Sequence, residues 1–216
     1  MIYFLDTNIH IGYVFFEDPW HEKSLDIFNH EKLYWSVIVK KEFDKKFTEF
    51  SDIFYSYISK IELKLSDYSD ELITLNNFNK ILLNISVSGM GYKKRNRILK
   101  RIWESITQNE ECISKSSLLN EIKKYKMSMR STYFSRRKHI INKLHLFNSD
   151  SVVYSLIDKL EGIHSPDNKI ILDAHYLASI CDEEIYFVSA DGKLCKKARS
   201  FDFLEIAKFC QLDEFV

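Results

Sequence analysis

Four carboxylates stand at positions in the sequence from which they could act together. Asp6 ends the apolar run MIYFLD, Asp191 follows the apolar run EIYFVSA, and Glu42 and Asp173 lie on predicted helices that can flank the same crevice. Carboxylates brought together repel one another, which raises their pKa values and costs stability unless cations neutralise them. Such a cluster implies bound metal, and ligands that are all oxygen suit hard ions, so we expect Mg²⁺ or Mn²⁺.

The chemistry of such a site is hydrolysis of phosphodiesters. Two hard cations about 4 Å apart can activate a water molecule and stabilise the leaving oxygen of an in-line displacement. Taken singly, Asp6 and Asp191 also suit a turn or a helix cap, and Glu42 suits a solvated helix among lysines. Asp173 interrupts the apolar segment IILDAHYLA, where a carboxylate without a partner is costly. The joint placement of the four acids is what favours a site.

The elements that must position these acids follow an alternating pattern at both ends of the chain. IYFL (2–5), KLYWS and EIYFVS are short apolar runs typical of strands buried in a parallel sheet, and FLEIAKF is a candidate edge strand. Helices are predicted between them, including one that opens at Pro166. From 52 to 163 the chain reads as successive helices. We therefore predict one α/β domain, 1–216, with a parallel sheet and a helical insertion or cap at 52–163.

Composition indicates an intracellular globular protein. The chain has 216 residues, 45% of them hydrophobic, with five Gly and two Pro, so long helices are favoured over a turn-rich sheet protein. The four cysteines lack CxxC or zinc-ligand spacing, which predicts reduced thiols in the cytoplasm. No signal peptide or membrane span is expected, hence no membrane partner.

Four segments carry a resemblance to a known family. FLDTNIHI, SVIVKKEF, DAHYLAS and YFVSADGKLCKKA resemble, in this order, the motif blocks of PIN-domain nucleases. The match covers about the first 50 and the last 50 residues, and the 18-residue step from Asp173 to Asp191 fits the family's usual interval. The resemblance implies a PIN-like (Rossmann-like three-layer) domain and a metal-dependent endoribonuclease. It also implies that Asp6, Glu42, Asp173 and Asp191 are the catalytic and metal-binding quartet.

The resemblance extends to polar neighbours of the quartet. Asn8 and Ser189 match positions that, in such proteins, support the carboxylates or a metal-bound water, although Thr is commoner at the position of Ser189. Some PIN-like sequences also carry an acid just before the helix that bears Asp173, where this chain has Asp167. Asp167 lies six residues before Asp173, so the two do not share a helix face, and we favour a capping role beside Pro166 for it. The central segment is far longer than in small PIN-domain toxins.

Charge divides the chain. Residues 92–143 contain 15 Lys and Arg against four Glu, a net charge of +11, and the remainder carries −11. Basic residues interleaved with aromatic ones suit contacts to phosphates and stacking on unpaired bases, so we expect this segment to bind nucleic acid, most of all RNA. The predicted contacts are Lys93, Lys94, Arg95, Arg97, Lys100, Arg101, Lys123, Lys124, Lys126, Arg130, Arg136, Arg137 and Lys138.

Three other functions stay open on the sequence alone. One is a structure-specific DNA nuclease of the flap-endonuclease type, which the basic insertion favours. A second is a nucleic-acid-binding module without chemistry, against which the presence of all four acids argues. The third is contact between the basic segment and an acidic partner protein. Neither a regulatory partner nor a homo-oligomer can be determined from one chain.

Overall fold

The computed structural model describes residues 1–69, 71–83, 85–107 and 112–214, with the backbone alone at 83, 92–94, 101 and 105–107. The chain divides into two compact units. We call residues 1–46 and 136–216 the sheet unit and residues 47–135 the helical unit.

The described residues form seven strands and eight α-helices. The strands are β1 (Ile2–Leu5), β2 (Leu33–Ser36), β3 (Leu72–Thr74), β4 (Cys112–Ser114), β5 (His145–Phe147), β6 (Ile185–Ser189) and β7 (Lys208–Gln211). The helices are α1 (Thr7–Val14), α2 (His21–Ile27), α3 (Val37–Ser66), α4 (Leu75–Leu83), α5 (Tyr92–Thr107), α6 (Lys115–Lys143), α7 (Asp167–Ile180) and α8 (Gly192–Ala198). Two 3₁₀ helices follow β5 and β7, at Ser151–Lys159 and Leu212–Glu214.

A five-stranded parallel sheet organises the sheet unit. The strand order is β5-β2-β1-β6-β7, and every pairing is parallel. Phe4 and Leu5 of β1 point to opposite faces and both are fully buried, so the central strand is covered on both sides. Burial on both faces explains why this strand is a continuous apolar run, and it is consistent with a three-layer domain.

The strands are added to one side of β1 first and to its other side later, although all of them run in the same direction. From β1 the chain moves outward to β2 and β5, and it then returns to place β6 on the other side of β1. In open parallel sheets, this reversal leaves a crevice at the carboxyl ends of the two central strands, where ligands bind. Here those ends are Leu5 in β1 and Ser189 in β6.

The helical unit has its own contacts. The strands β3 and β4 form an antiparallel pair, with Ile73 opposite Ile113. Aromatic rings pack within the unit: the ring centroids of Phe78 and Trp103 lie 5.3 Å apart.

The predicted fold class is confirmed at the level of an α/β domain with a parallel sheet. The compact helical unit is shorter than the predicted insertion 52–163, because β5 pairs with β2 and so brings residues 136–163 into the sheet unit. The edge strand forms at 208–211, slightly later than predicted, and the β3–β4 pair was not predicted. No helix in the described part of the chain is both long and apolar enough to cross a membrane.

Candidate functional site

Asp6 lies at the carboxyl end of β1 and is 3% exposed. It begins α1 as its N-cap, since its Oδ1 accepts a hydrogen bond from the backbone N–H of Thr7 at 2.6 Å. Its Oδ2 accepts from Ser189 Oγ at 2.6 Å and, at the long distance of 3.4 Å, from Asn8 Nδ2. Both residues that were expected to support the carboxylates therefore contact Asp6.

The pairing of β1 with β6 positions Ser189. Leu5 of β1 lies opposite Val188 of β6. Because the strands are parallel, the next residues along them, Asp6 and Ser189, also lie side by side. The Ser189 hydroxyl also accepts from the backbone N–H of Asp191 at 3.0 Å. One hydroxyl thus ties the end of β1 to the loop that begins α8.

A buried histidine supports the backbone at Asp6. His10 Nδ1 donates to the Asp6 carbonyl oxygen at 2.9 Å, and the imidazole is fully buried beside the Trp35 ring, with centroids 5.1 Å apart. Burial lowers the pKa of His10 to about 3. The ring therefore stays neutral near pH 7 and gives no charge to the site.

Asp191 is exposed and caps α8. Its Oδ1 accepts from the backbone N–H groups of Lys193 at 2.9 Å and Leu194 at 3.1 Å. The cap uses one carboxylate oxygen, so the other is not needed to begin the helix.

Glu42 reaches the site from α3. Its Oε2 accepts from Thr7 Oγ1 at 2.5 Å, and its Oε1 forms an ion pair with Lys46 Nζ at 2.7 Å. Lys46 follows Glu42 by one helical turn, the spacing at which such pairs meet on a helix surface. The contacts of Thr7 and Lys46 with Glu42 were not predicted, although the i, i+4 spacing could have indicated Lys46.

Asp167 belongs to the same group of acids. Burial, together with the charges of Glu42 and Asp191, raises the pKa of Asp167, and Lys46 and His164 act in the opposite direction. The predicted capping role is wrong, because the N-cap of α7 is Pro166 and no side-chain cap bond forms there. As the first residue of α7, Asp167 lies where a negative charge is favoured by the helix dipole.

Electrostatics also link Asp6 to this group. Burial raises the pKa of Asp6 to about 6, the charges of Asp167 and Glu42 add to the increase, and the Ser189 hydrogen bond opposes it. We call Asp6, Glu42, Asp167 and Asp191 the acidic group. They come from four separate elements. Asp6 and Asp191 follow β1 and β6, and the charges of Glu42 and Asp167 act on Asp6, as that of Asp191 acts on Asp167.

Asp173 has a different environment. It is 1% exposed, and its Oδ1 accepts from Ser149 Oγ at 2.6 Å and from Tyr154 OH at 2.7 Å. Six residues along an α-helix correspond to a rotation of about 240° and a rise of about 9 Å, so Asp167 and Asp173 cannot present their carboxylates to one point. Ser149 and Tyr154 lie in the segment that was predicted as insertion, where nothing in the sequence marked them.

The acidic group is not arranged as a metal site as it stands. Among the described residues, no three Asp, Glu, His or Cys side chains are grouped so that they could hold a metal ion. Two contacts account for this in part: Glu42 is turned to Thr7 and Lys46, and Asp191 is turned to the α8 cap.

The predicted nucleic-acid contacts fall into three classes. The first class comprises Lys93, Lys94 and Arg101, whose side chains are outside what the structure describes. Others have partners: Arg95 donates to the Ile85 carbonyl, Lys100 pairs with Glu104, Lys124 with Glu121, Lys126 with Glu62 and Arg137 with Asp44, and Arg136 donates to the Tyr13 carbonyl. Arg97, Lys123, Arg130 and Lys138 are exposed, and Arg130 also lies over the Tyr55 ring.

Comparison with protein-family models, with curated proteins and with solved structures finds no significant match for this chain.

Proposed function

We propose that this protein is a PIN-like, metal-dependent endoribonuclease with its site at the carboxyl ends of β1 and β6. The observation that supports the proposal most is the mutual repulsion within the acidic group: burial raises the pKa values of Asp6 and Asp167, and the charges of the neighbouring acids add to the increase. Helix capping alone does not require carboxylates that repel one another, and such repulsion destabilises the folded state. Residues that oppose folding at one place in a sheet are a common mark of a functional site.

The donor set suits a hard divalent cation. The acidic group offers only carboxylate oxygens, and Asp6 is buried where an uncompensated negative charge is costly. Asp6, Asp167 and Asp191 would hold Mg²⁺ or Mn²⁺, and Glu42 would join them once Lys46 released it. When bound, such an ion lowers the pKa of a water molecule and stabilises charge on phosphoryl oxygens.

The remaining residues position and restrain the carboxylates. Ser189 and the Thr7 backbone fix both oxygens of Asp6, so its orientation is set before substrate arrives. Thr7 Oγ1 orients Glu42, and the buried neutral His10 holds the backbone turn that follows β1. Asp173, predicted to bind metal, accepts hydrogen bonds from Ser149 and Tyr154, and we propose Asp167 for the third acidic position of the site.

RNA is the proposed substrate because of the family resemblance and the basic central segment. Arg97, Lys123 and Lys138 are exposed and form no ion pair with the part of the chain that the structure describes, so they can contact phosphates. The flap-endonuclease alternative predicts cleavage of branched DNA, and the binding-module alternative predicts affinity for RNA without turnover.

The test is cleavage by the purified full chain of labelled single-stranded RNA, hairpin RNA, single-stranded DNA and flap DNA. We expect RNA cleavage with Mg²⁺ or Mn²⁺, none with EDTA, and loss of at least about 100-fold in Asp6→Asn and Asp191→Asn. Circular dichroism checks that these variants remain folded. Asp182→Asn is the matched control, because Asp182 is an exposed carboxylate before β6, at the opposite end of that strand.

Full activity in both Asp6→Asn and Asp191→Asn would refute the proposal. Cleavage confined to flap DNA would replace it with the DNA-nuclease alternative. RNA binding in EDTA with no turnover in any metal would replace it with the non-catalytic module.

A further inference from the structure

The helical unit contains a cavity that the proposed nuclease site does not use. Its volume is about 510 Å³, within the range of pockets that take small organic molecules. All of its lining residues lie within 57–104, and the buried side chains of Leu82, Leu99 and Trp103 supply apolar wall. Leu75, which also lines the cavity, is 45% exposed and so reaches the rim.

One of the residues that line this cavity, Tyr57, carries a buried hydroxyl without a partner in the described part of the chain. Tyr57 is fully buried, and its OH forms no hydrogen bond with any residue that the structure describes. A hydroxyl removed from water with no partner costs free energy, so such groups are rare in folded proteins unless a water or a ligand completes them. A ligand in the cavity that reached this hydroxyl would supply the missing acceptor.

A positive charge lies beside the same hydroxyl. Arg95 lines the cavity, and its charge acts to lower the pKa of Tyr57, whereas burial raises that pKa to about 12. The phenol is thus protonated near pH 7 and can donate. Arg95 is held in place by its Nη1, which donates to the Ile85 carbonyl oxygen at 2.7 Å.

We propose that this cavity binds a small amphipathic anion, with its apolar body between Leu82, Leu99 and Trp103 and its acidic group facing Tyr57 and Arg95. Of the other charged residues that line the cavity, Lys100 and Glu104 pair with each other, so Arg95 leaves a net positive charge. Together with Tyr57 it favours an acceptor that carries negative charge, such as a carboxylate. The apolar walls select a body of hydrocarbon or aromatic carbon over a sugar or a free inorganic anion. The inference is independent of the nuclease proposal, because it concerns residues of the helical unit alone.

Binding is tested on the full chain with decanoate and 2-naphthoate as probes, by isothermal titration calorimetry and by the shift in melting temperature. The matched neutral probes are 1-decanol and 2-naphthalenemethanol, and acetate tests the charge without the apolar body. We expect the two amphipathic anions to bind at least about tenfold more tightly than their neutral counterparts, and acetate not to bind.

Two variants locate the binding. Tyr57→Phe should weaken both anions about tenfold and should raise the melting temperature without ligand, because the uncompensated hydroxyl is gone. A purely structural tyrosine would give the reverse, a lower melting temperature and unchanged binding. Leu75→Trp should block the rim and abolish binding, and Leu63→Trp is its control, since Leu63 is 62% exposed and does not line the cavity.

Equal affinity for the neutral probes would overturn the assignment of an anion. Binding that is unchanged in both Tyr57→Phe and Leu75→Trp, or no binding of either anion at millimolar concentration, would overturn the site itself. Because the assay measures binding without cleavage, neither result bears on the nuclease proposal.

Discussion

Ser189 Oγ donates to Asp6 Oδ2 across 2.6 Å and joins the end of β6 to the carboxylate that follows β1. This bond favours the ionised form of Asp6, whereas burial and the charges of Asp167 and Glu42 favour the protonated form. The second influence prevails, and the pKa rises from 3.8 to about 6. Folding without a cation therefore costs free energy at this carboxylate once the pH exceeds about 4, and the cost is complete above about pH 6.

We expect the metal-free protein to lose stability as the pH rises from about 4 to about 6.5, with Asp6 contributing about 3 kcal/mol. The folded-state pKa lies above the unfolded value, so in this window the folded state holds a proton that the unfolded state has lost. The favourable contribution disappears as the pH passes the folded pKa. Urea unfolding in EDTA at stepped pH measures it. Asp6→Asn should remove this part of the slope, and Asp182→Asn should retain it.

Ser189→Ala should extend the pH-dependent loss of stability at Asp6 to higher pH. The variant loses the donor that stabilises ionised Asp6, so the pKa of Asp6 rises further and neutral-pH stability in EDTA falls by about 1 kcal/mol. Ser189→Thr keeps the hydroxyl and should restore the wild-type profile. An unchanged midpoint in Ser189→Ala would show that the hydrogen bond does not control the ionisation of Asp6.

Asp167→Asn and Asp173→Asn should have different effects on stability and on RNA cleavage. Asp167→Asn removes repulsion with Glu42 and Asp191, so we expect a stability equal to or above wild type and loss of RNA cleavage by at least about 100-fold. Asp173→Asn weakens the bonds from Ser149 and Tyr154, so we expect a loss of about 1–3 kcal/mol in the free energy of unfolding. Urea unfolding and single-turnover cleavage on the same preparations give both quantities.

The two variants also discriminate between the two assignments of the third acid. If Asp173→Asn abolished cleavage at full stability while Asp167→Asn cleaved normally, the quartet read from the sequence would be correct and the acidic group defined here would not. Tyr154→Phe is the control for the structural role, since it removes one bond to Asp173 and leaves every carboxylate in place.

The sequence predicted the parts of the site that depend on strand ends. Asp6, Ser189 and Asp191 follow apolar runs, and parallel pairing brings such ends to one edge of the sheet whatever lies between them. The choice between Asp167 and Asp173 depended on the rotation of α7 about its axis. An apolar segment with one acid does not fix that rotation, because a buried Asp is stable wherever hydroxyl donors meet it, and here Ser149 and Tyr154 do.

The limits of the insertion were harder to predict for a related reason. The strand β5 has only three residues, His145–Phe147, and it follows the 29-residue helix α6. A short segment of this kind carries too few side chains for alternation to be recognised, and its strand character comes from pairing with Tyr34 and Trp35 of β2. The same holds for the three-residue strands β3 and β4.

Lys46 is expected to compete with metal for Glu42. Its ammonium lies 2.7 Å from Glu42 Oε1, and its charge partly opposes the increase in the pKa of Asp167. Lys46→Ala should tighten Mg²⁺ binding several-fold, because the carboxylate no longer has to be released, and should destabilise the protein in EDTA. The rise in melting temperature with Mg²⁺ concentration measures both effects. Lys41→Ala is the control, since Lys41 is exposed one residue before Glu42. A weaker response to Mg²⁺ in Lys46→Ala would contradict competition.

The exposed cations should contribute to RNA binding more than the paired ones. Lys123 and Lys126 both lie on α6, but Lys123 is exposed whereas Lys126 forms an ion pair with Glu62 at 2.7 Å. In the Asp6→Asn background, which prevents cleavage, Lys123→Gln should weaken binding two- to threefold on any RNA sequence and lower the salt slope of log K by about 0.7–1. Lys126→Gln should change the slope less, because Glu62 already neutralises that ammonium. Fluorescence anisotropy between 50 and 200 mM salt measures the slopes. Equal slopes in the two variants would show that total charge, and not the exposure of individual cations, governs RNA binding.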